Sequence, residues 1–125
     1  MIGEALMRKP KKDAKRERRI AMEVIVDAHD SEEQAMGWYY YLEERLRFPF
    51  TAVCVAERAI SVLWKGDEVE VLELAPQEEC RHEMFVGMRW ERRPLAQLKP
   101  IKHTDEETKE AVADWHYWVA QGYEL

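Results

Sequence analysis

Residues 36–50 read M-G-W-Y-Y-Y-L-E-E-R-L-R-F-P-F and hold one of the chain's five tryptophans, three of its five tyrosines and two of its three phenylalanines. An aromatic side chain buries roughly 150–250 Å², so a core in this chain has to assemble around this stretch. Asp30 and Ser31 precede it, and Gln34 follows Ser31 at the spacing of a capping box, which predicts that a helix begins there. At 100° per residue, Ala35, Trp38, Tyr39, Leu42 and Leu46 share one arc, whereas Glu33, Gly37, Tyr40, Tyr41 and Glu44 share the other. Gly37 costs roughly 1 kcal/mol against alanine inside a helix, which predicts a neighbour packed closely against its side. Pro49 ends the helix, because a proline drives its predecessor out of the α region.

Toward the N-terminus, residues 15–28 support two patterns. As a helix, Arg16, Arg19, Glu23 and Asp27 lie on one face and Ile20, Ala21, Val24, Ile25 and Ala28 on the opposite one. As a strand, Met22, Val24 and Val26 alternate with Glu23 and Asp27, and the β-branched run favours extension. The helical pattern is longer and contains the Arg19–Glu23 pair at i,i+4 spacing, so helix is preferred. It would join the aromatic helix through His29 and Asp30 as an αα-hairpin, placing helices at about residues 15–47. Residues 1–14 are a basic leader, expected to be disordered, ahead of a single domain over residues 15–125.

Toward the C-terminus the period changes to two, with runs at Ala52–Glu57, Glu68–Leu74 and Met84–Trp90. Lys65, Gly66 and Asp67 mark one turn, and Arg92, Arg93 and Pro94 another, before a short run at Leu95–Leu98 and an edge piece at Pro100 and Ile101. Five short strands within about 50 residues predict a small SH3-like β-barrel over residues 51–101. Thr104 as N-cap with Glu107 then opens a final amphipathic helix at about 105–121. Ala111, Val112, Trp115, Trp118 and Val119 fall on its core arc, Glu107, Glu110 and Asp114 on the opposite arc, and Gly122 at its end. The fold class expected is α+β, a barrel flanked by an N-terminal helical hairpin and a C-terminal helix.

Charge narrows the functional classes. The net charge is −6, but residues 1–19 carry eight Lys or Arg against three Asp or Glu, leaving the other 106 residues with 11 against 22. A body this acidic attracts cations and makes nucleic acid an unlikely partner, while the leader offers a basic arm to RNA, an acidic partner or the chain's own body. No apolar run approaches the roughly 20 residues that span a bilayer, and no signal-peptide pattern opens the chain. A soluble, cytoplasmic protein is expected, with Cys54 and Cys80 as buried or idle thiols.

Catalytic signatures are missing: there is no nucleophile elbow, phosphate-cradling loop, H-E-x-x-H or paired CxxC, so no enzyme activity is expected. His29, His82, His103 and His116 stand singly, and Cys80-x-His82 supplies at most two of the four ligands a zinc site takes. Three acidic groups remain, suited to a hard cation with six to eight oxygen ligands. They are Asp27, Asp30, Glu32 and Glu33; Glu78, Glu79 and Glu83; and Asp105, Glu106 and Glu107. Carboxylates in a first helical turn are explained by the helix dipole, which covers the third group together with Glu32 and Glu33. Nothing local explains Glu78, Glu79 and Glu83, and Asp27 sits where a helix C-terminus disfavours negative charge. These residues, with Asp30 and Glu33, are the candidate metal ligands. None of the groups is an EF-hand: counted from Asp27, position 6 is Glu32 and position 12 is Trp38, where glycine and glutamate are required.

The run V-I-V-D-A-H-D-S-E-E-Q-A-M-G-W-Y-Y-Y-L-E-E through F-P-F, followed by K-G-D-E-V-E-V-L, E-E-C-R-H-E-M-F-V and D-W-H-Y-W-V, resembles the CcbP-type calcium-binding proteins of cyanobacteria over roughly residues 20–122. The resemblance implies a Ca2+-binding protein that buffers or senses the cytoplasmic ion without catalysis. The competing expectation is an SH3-like protein or RNA interaction module, aided by the basic leader.

Overall fold

The computed structural model describes residues 10–55, 66–123 and 125. Helix α1, Ala14–Arg19, is capped by Asp13, which accepts a hydrogen bond from the Arg16 amide at 3.0 Å. It runs directly into a π-helical turn, Ile20–Val24, in which the Ile25 amide donates to the Ile20 carbonyl. The helical pattern of residues 15–28 is therefore the one adopted, and its strand alternative is not. Ile20 and Val24 are buried as expected, but Ala21 is exposed. The chain reverses through Asp27, whose φ of 62° is left-handed, a region that Asp tolerates better than most residues.

Helix α2, Ser31–Arg45, buries Ala35, Trp38, Tyr39, Tyr41 and Leu42. Its cap is Asp30 rather than Ser31: Asp30 accepts from the Glu33 amide at 2.8 Å, and Glu33 accepts from the His29 amide at 2.8 Å. The close neighbour that Gly37 predicts is the backbone of the π-turn. A Cβ there would stand 2.2 Å from the Val24 carbonyl oxygen, so only glycine lets the two segments touch.

Six strands follow among the described residues: β1 Phe50–Cys54, β2 Glu68–Val71, β3 Glu73–Leu74, β4 Phe85–Gly87, β5 Arg92–Pro94 and β6 Leu98–Pro100. They form two antiparallel three-stranded sheets, ordered β2-β1-β6 and β3-β4-β5, and the described residues show no closed barrel. The run expected over Ala52–Glu57 begins two residues earlier, and its end at Glu57 lies outside the described residues. Phe50, Ala52 and Cys54 face inward in strict alternation. Between Arg92 and Leu98 the expected turn and strand change places. Arg92–Pro94 pairs with β4, the turn being Met88–Glu91, closed by the Met88 amide on the Glu91 carbonyl at 2.8 Å, and Leu95–Gln97 is a 3-10 turn.

Helix α3, Glu106–Ala120, is capped by Asp105 rather than Thr104. Asp105 accepts from the Thr108 amide at 2.9 Å and from its hydroxyl at 2.8 Å. Its aromatic face docks on α2: Trp38 meets Trp115 edge-on at 5.1 Å and Trp118 at 5.6 Å. Leu42, Val71, Met84, Val86, Leu95 and Leu98 complete the core.

Asp114 departs most from the expected pattern, because it is wholly buried instead of facing solvent. It accepts from Arg16 Nη1 at 3.0 Å, Arg19 Nε at 3.0 Å and Nη2 at 2.6 Å, and the Tyr41 hydroxyl at 2.6 Å. Burial, then the carboxylate beside it, push the Tyr41 phenol well above its ordinary pKa, so it stays a donor. Of the expected basic leader, residues 1–9 lie outside the described residues. The Pro10 carbonyl accepts from Gln121 at 2.8 Å, Lys12 donates to Tyr123 at 2.7 Å, and the Asp13 amide donates to the Tyr117 hydroxyl at 3.0 Å.

Candidate metal centre

The turn that carries Glu78 and Glu79 is fixed from two sides. Gln77–Glu79 is a 3-10 turn preceded by Ala75, whose carbonyl accepts from the Tyr39 hydroxyl of α2 at 2.7 Å. Burial raises the Tyr39 pKa, with smaller contributions from Cys80, Glu43 and Glu78, so the phenol keeps the proton it donates. After the turn, the Cys80 sulfur is buried and receives the Phe85 amide at 3.4 Å. Burial pushes this thiol up as well, which makes it a packed structural group and a poor metal ligand.

Between this turn and the first two turns of α2 lies a cavity of about 240 Å³. Glu32, Met36 and Tyr39 line it from the helix, and Gln77, Glu78 and Arg81 from the turn. Two of the acidic groups separated in sequence thus each contribute a residue, Glu32 and Glu78, to the lining of one cavity. Neither carboxylate makes a hydrogen bond or ion pair among the described residues. The α2 amides that would otherwise repel a cation are partly occupied already, the Glu33 amide by the Asp30 side chain and the Gln34 amide by the Asp30 carbonyl.

The six expected ligands are distributed differently. Glu78 lines the cavity. Glu79, beside it, is held by Arg92 Nη1 at 2.8 and 2.9 Å. Glu83 is half-buried and lines a separate hollow with His82, Trp115 and Trp118. Asp30 and Glu33 serve the start of α2, and Asp27 is exposed at the left-handed turn. Helical spacing carries the signal that Glu32, rather than Glu33, turns to the cavity: Glu32, Ala35, Met36 and Tyr39 stand at i, i+3, i+4 and i+7, one continuous face.

Calcium takes six to eight oxygens, and among the described residues no three His, Cys, Asp or Glu side chains converge closely enough to cage an ion. The cavity offers two carboxylates and the Gln77 amide oxygen. That donor set fits an open site in which water completes the shell.

These features define a small α+β protein whose acidic cavity suits a hard cation. The profile of the CcbP family, described as calcium binding, matches residues 18–119, and the chain belongs to that family. Two solved structures are similar throughout. The crystal structure of Anabaena CcbP is 41% identical with a TM-score of 0.81, covering 93% of this chain and 98% of its own. A calcium binding protein in the calcium-binding form is 40% identical with a TM-score of 0.79, covering 91% and 96%. No curated protein sequence matches the chain.

Proposed function

We propose that the protein binds calcium in the cavity between α2 and the Gln77–Glu79 turn, with Glu32 and Glu78 as direct ligands. The observation that carries this reading is that Glu32 and Glu78, from distant parts of the chain, line one cavity and make no hydrogen bond or ion pair among the described residues. Gln77 adds a neutral oxygen, and Glu79 joins when the ion outcompetes Arg92, an exposed pair worth roughly 0–1 kcal/mol. Arg81, which also lines the cavity, opposes the ion. An open, irregular oxygen shell favours calcium over magnesium, which demands near-ideal octahedral geometry.

On this reading the protein is a cytoplasmic calcium buffer or sensor without an EF-hand and without catalysis. We read its two sheets as the halves of an SH3-like barrel, since β2 continues into β3 across Leu72, whose amide donates to the Gly87 carbonyl at 2.9 Å. Isothermal titration with calcium and with magnesium tests the function. Calcium heat at a micromolar to millimolar dissociation constant, with weaker magnesium binding, is expected. Equal affinities for the two ions, or no heat together with salt-sensitive RNA binding, would overturn it in favour of an interaction module.

A further inference from the structure

Beside its aromatic core face, α3 presents a second face in which Lys109, Val112, Ala113, His116 and Ala120 recur at helical spacing. This face is the wall of a groove of about 610 Å³, bounded by Lys99 and Pro100 of the edge strand β6 and by Pro10 and Arg16. The volume falls within the range of small-molecule sites, roughly 300–1,000 Å³.

Three of the four charged side chains that line the groove are cations, Arg16, Lys99 and Lys109. Its lining carboxylate, Glu110, is turned to Arg19 at 2.6 Å. Arg16 reaches down to Asp114, and Lys109 is held by Glu106 at 3.0 Å and by the Lys102 carbonyl at 3.1 Å. Lys99 is exposed and makes no ion pair among the described residues. His116 Nε2 lies 2.7 Å from the Leu98 carbonyl, and burial, with a smaller push from Lys99, holds the ring below its ordinary pKa, so it contributes neutral surface. An apolar wall with a cationic rim is a local reversal in an acidic body.

We propose that this groove binds a small amphipathic organic anion, a carboxylate or phosphate on an apolar chain, with the charge at Lys99 and the apolar part along Ala113 and Ala120. The inference is independent of calcium. It is tested on the full chain with octanoate, octylammonium and octanol, followed by calorimetry and amide chemical shifts. Octanoate should bind at one site and shift residues of β6 and α3, with octylammonium at least tenfold weaker and octanol in between. Lys99→Glu, on an exposed strand edge, should weaken octanoate at least fivefold. Ala113→Trp, which fills the groove, should abolish binding. No octanoate binding at millimolar concentration, equal binding of the three probes, or undiminished binding in Lys99→Glu would each overturn the proposal.

Discussion

Asp114 and Glu78 are carboxylates of one acidic chain placed in opposite circumstances. Asp114 is wholly buried and receives two arginines and a tyrosine, so its charge is answered within the fold and ties α1, α2 and α3 together. Glu78 stands at a cavity opposite Glu32, makes no hydrogen bond or ion pair among the described residues, and leaves its lone pairs to water or to an ion. A carboxylate answered by buried donors serves the fold, whereas one whose lone pairs are open is available to an ion. The account therefore requires that stability and calcium affinity separate cleanly between the two regions.

The largest expected effect is on the structural side. Asp114→Ala leaves two arginines facing an emptied site and should cost about 3–5 kcal/mol, the range for breaking a buried ion pair. Urea unfolding measures it, and a loss below about 1 kcal/mol would show that the cluster is solvated. The cavity should respond in the other direction. A hundredfold excess of calcium over its dissociation constant should stabilise the protein by about 2.7 kcal/mol, because only the native state binds. An unchanged melting temperature at millimolar calcium would remove the ion from the cavity.

A smaller effect distinguishes pH dependence from either carboxylate. Burial lowers the folded-state pKa of His116, so the unfolded chain takes up a proton first as pH falls. The stability from its neutral ring is fully present above the unfolded value near 6.5 and is lost progressively as pH drops toward the folded value, at most about 1.4 kcal/mol per pH unit. His116→Gln should flatten stability between pH 7 and pH 5; an unaltered slope would assign that dependence elsewhere. The smallest effect tests the link between bound and unbound carboxylates. Arg92→Ala releases Glu79 and should tighten calcium binding by up to about fivefold, the equivalent of the roughly 0–1 kcal/mol of an exposed pair. Weaker binding in that variant would mean that Arg92 organises the site.

Local chemistry made part of this legible. The aromatic arc of Trp38, Tyr39 and Leu42 predicts α2 and its buried face, and Gly37 predicts the close contact that the Val24 carbonyl supplies. Periodicity cannot separate a buried carboxylate from a solvent-facing one, and the arginines that answer Asp114 lie 98 and 95 residues away. For the same reason Tyr41 looked like back-face surface. A single residue separates Glu33 from Glu32, yet 100° of helix rotation gives the first a capping role and the second the cavity. The exchange of turn and strand at Arg92–Leu98 depends on pairing with β4, which short-range pattern does not encode. Glu79 and Glu83 stand out in the sequence by density of charge, and density does not say which member an arginine already holds.

The most direct test compares calcium affinity by calorimetry in Glu78→Gln, Glu32→Gln and Glu33→Gln, with unfolding stability measured alongside. The account predicts that the first two each weaken calcium binding by tenfold or more, about 1.4 kcal/mol, without loss of stability. Glu33→Gln should cost about 0.3–1 kcal/mol of stability through the start of α2 and leave calcium affinity nearly unchanged. Undiminished binding in Glu78→Gln and Glu32→Gln, with loss in Glu33→Gln, would contradict the cavity as the site and move the ion to the turn around Asp27 and Asp30.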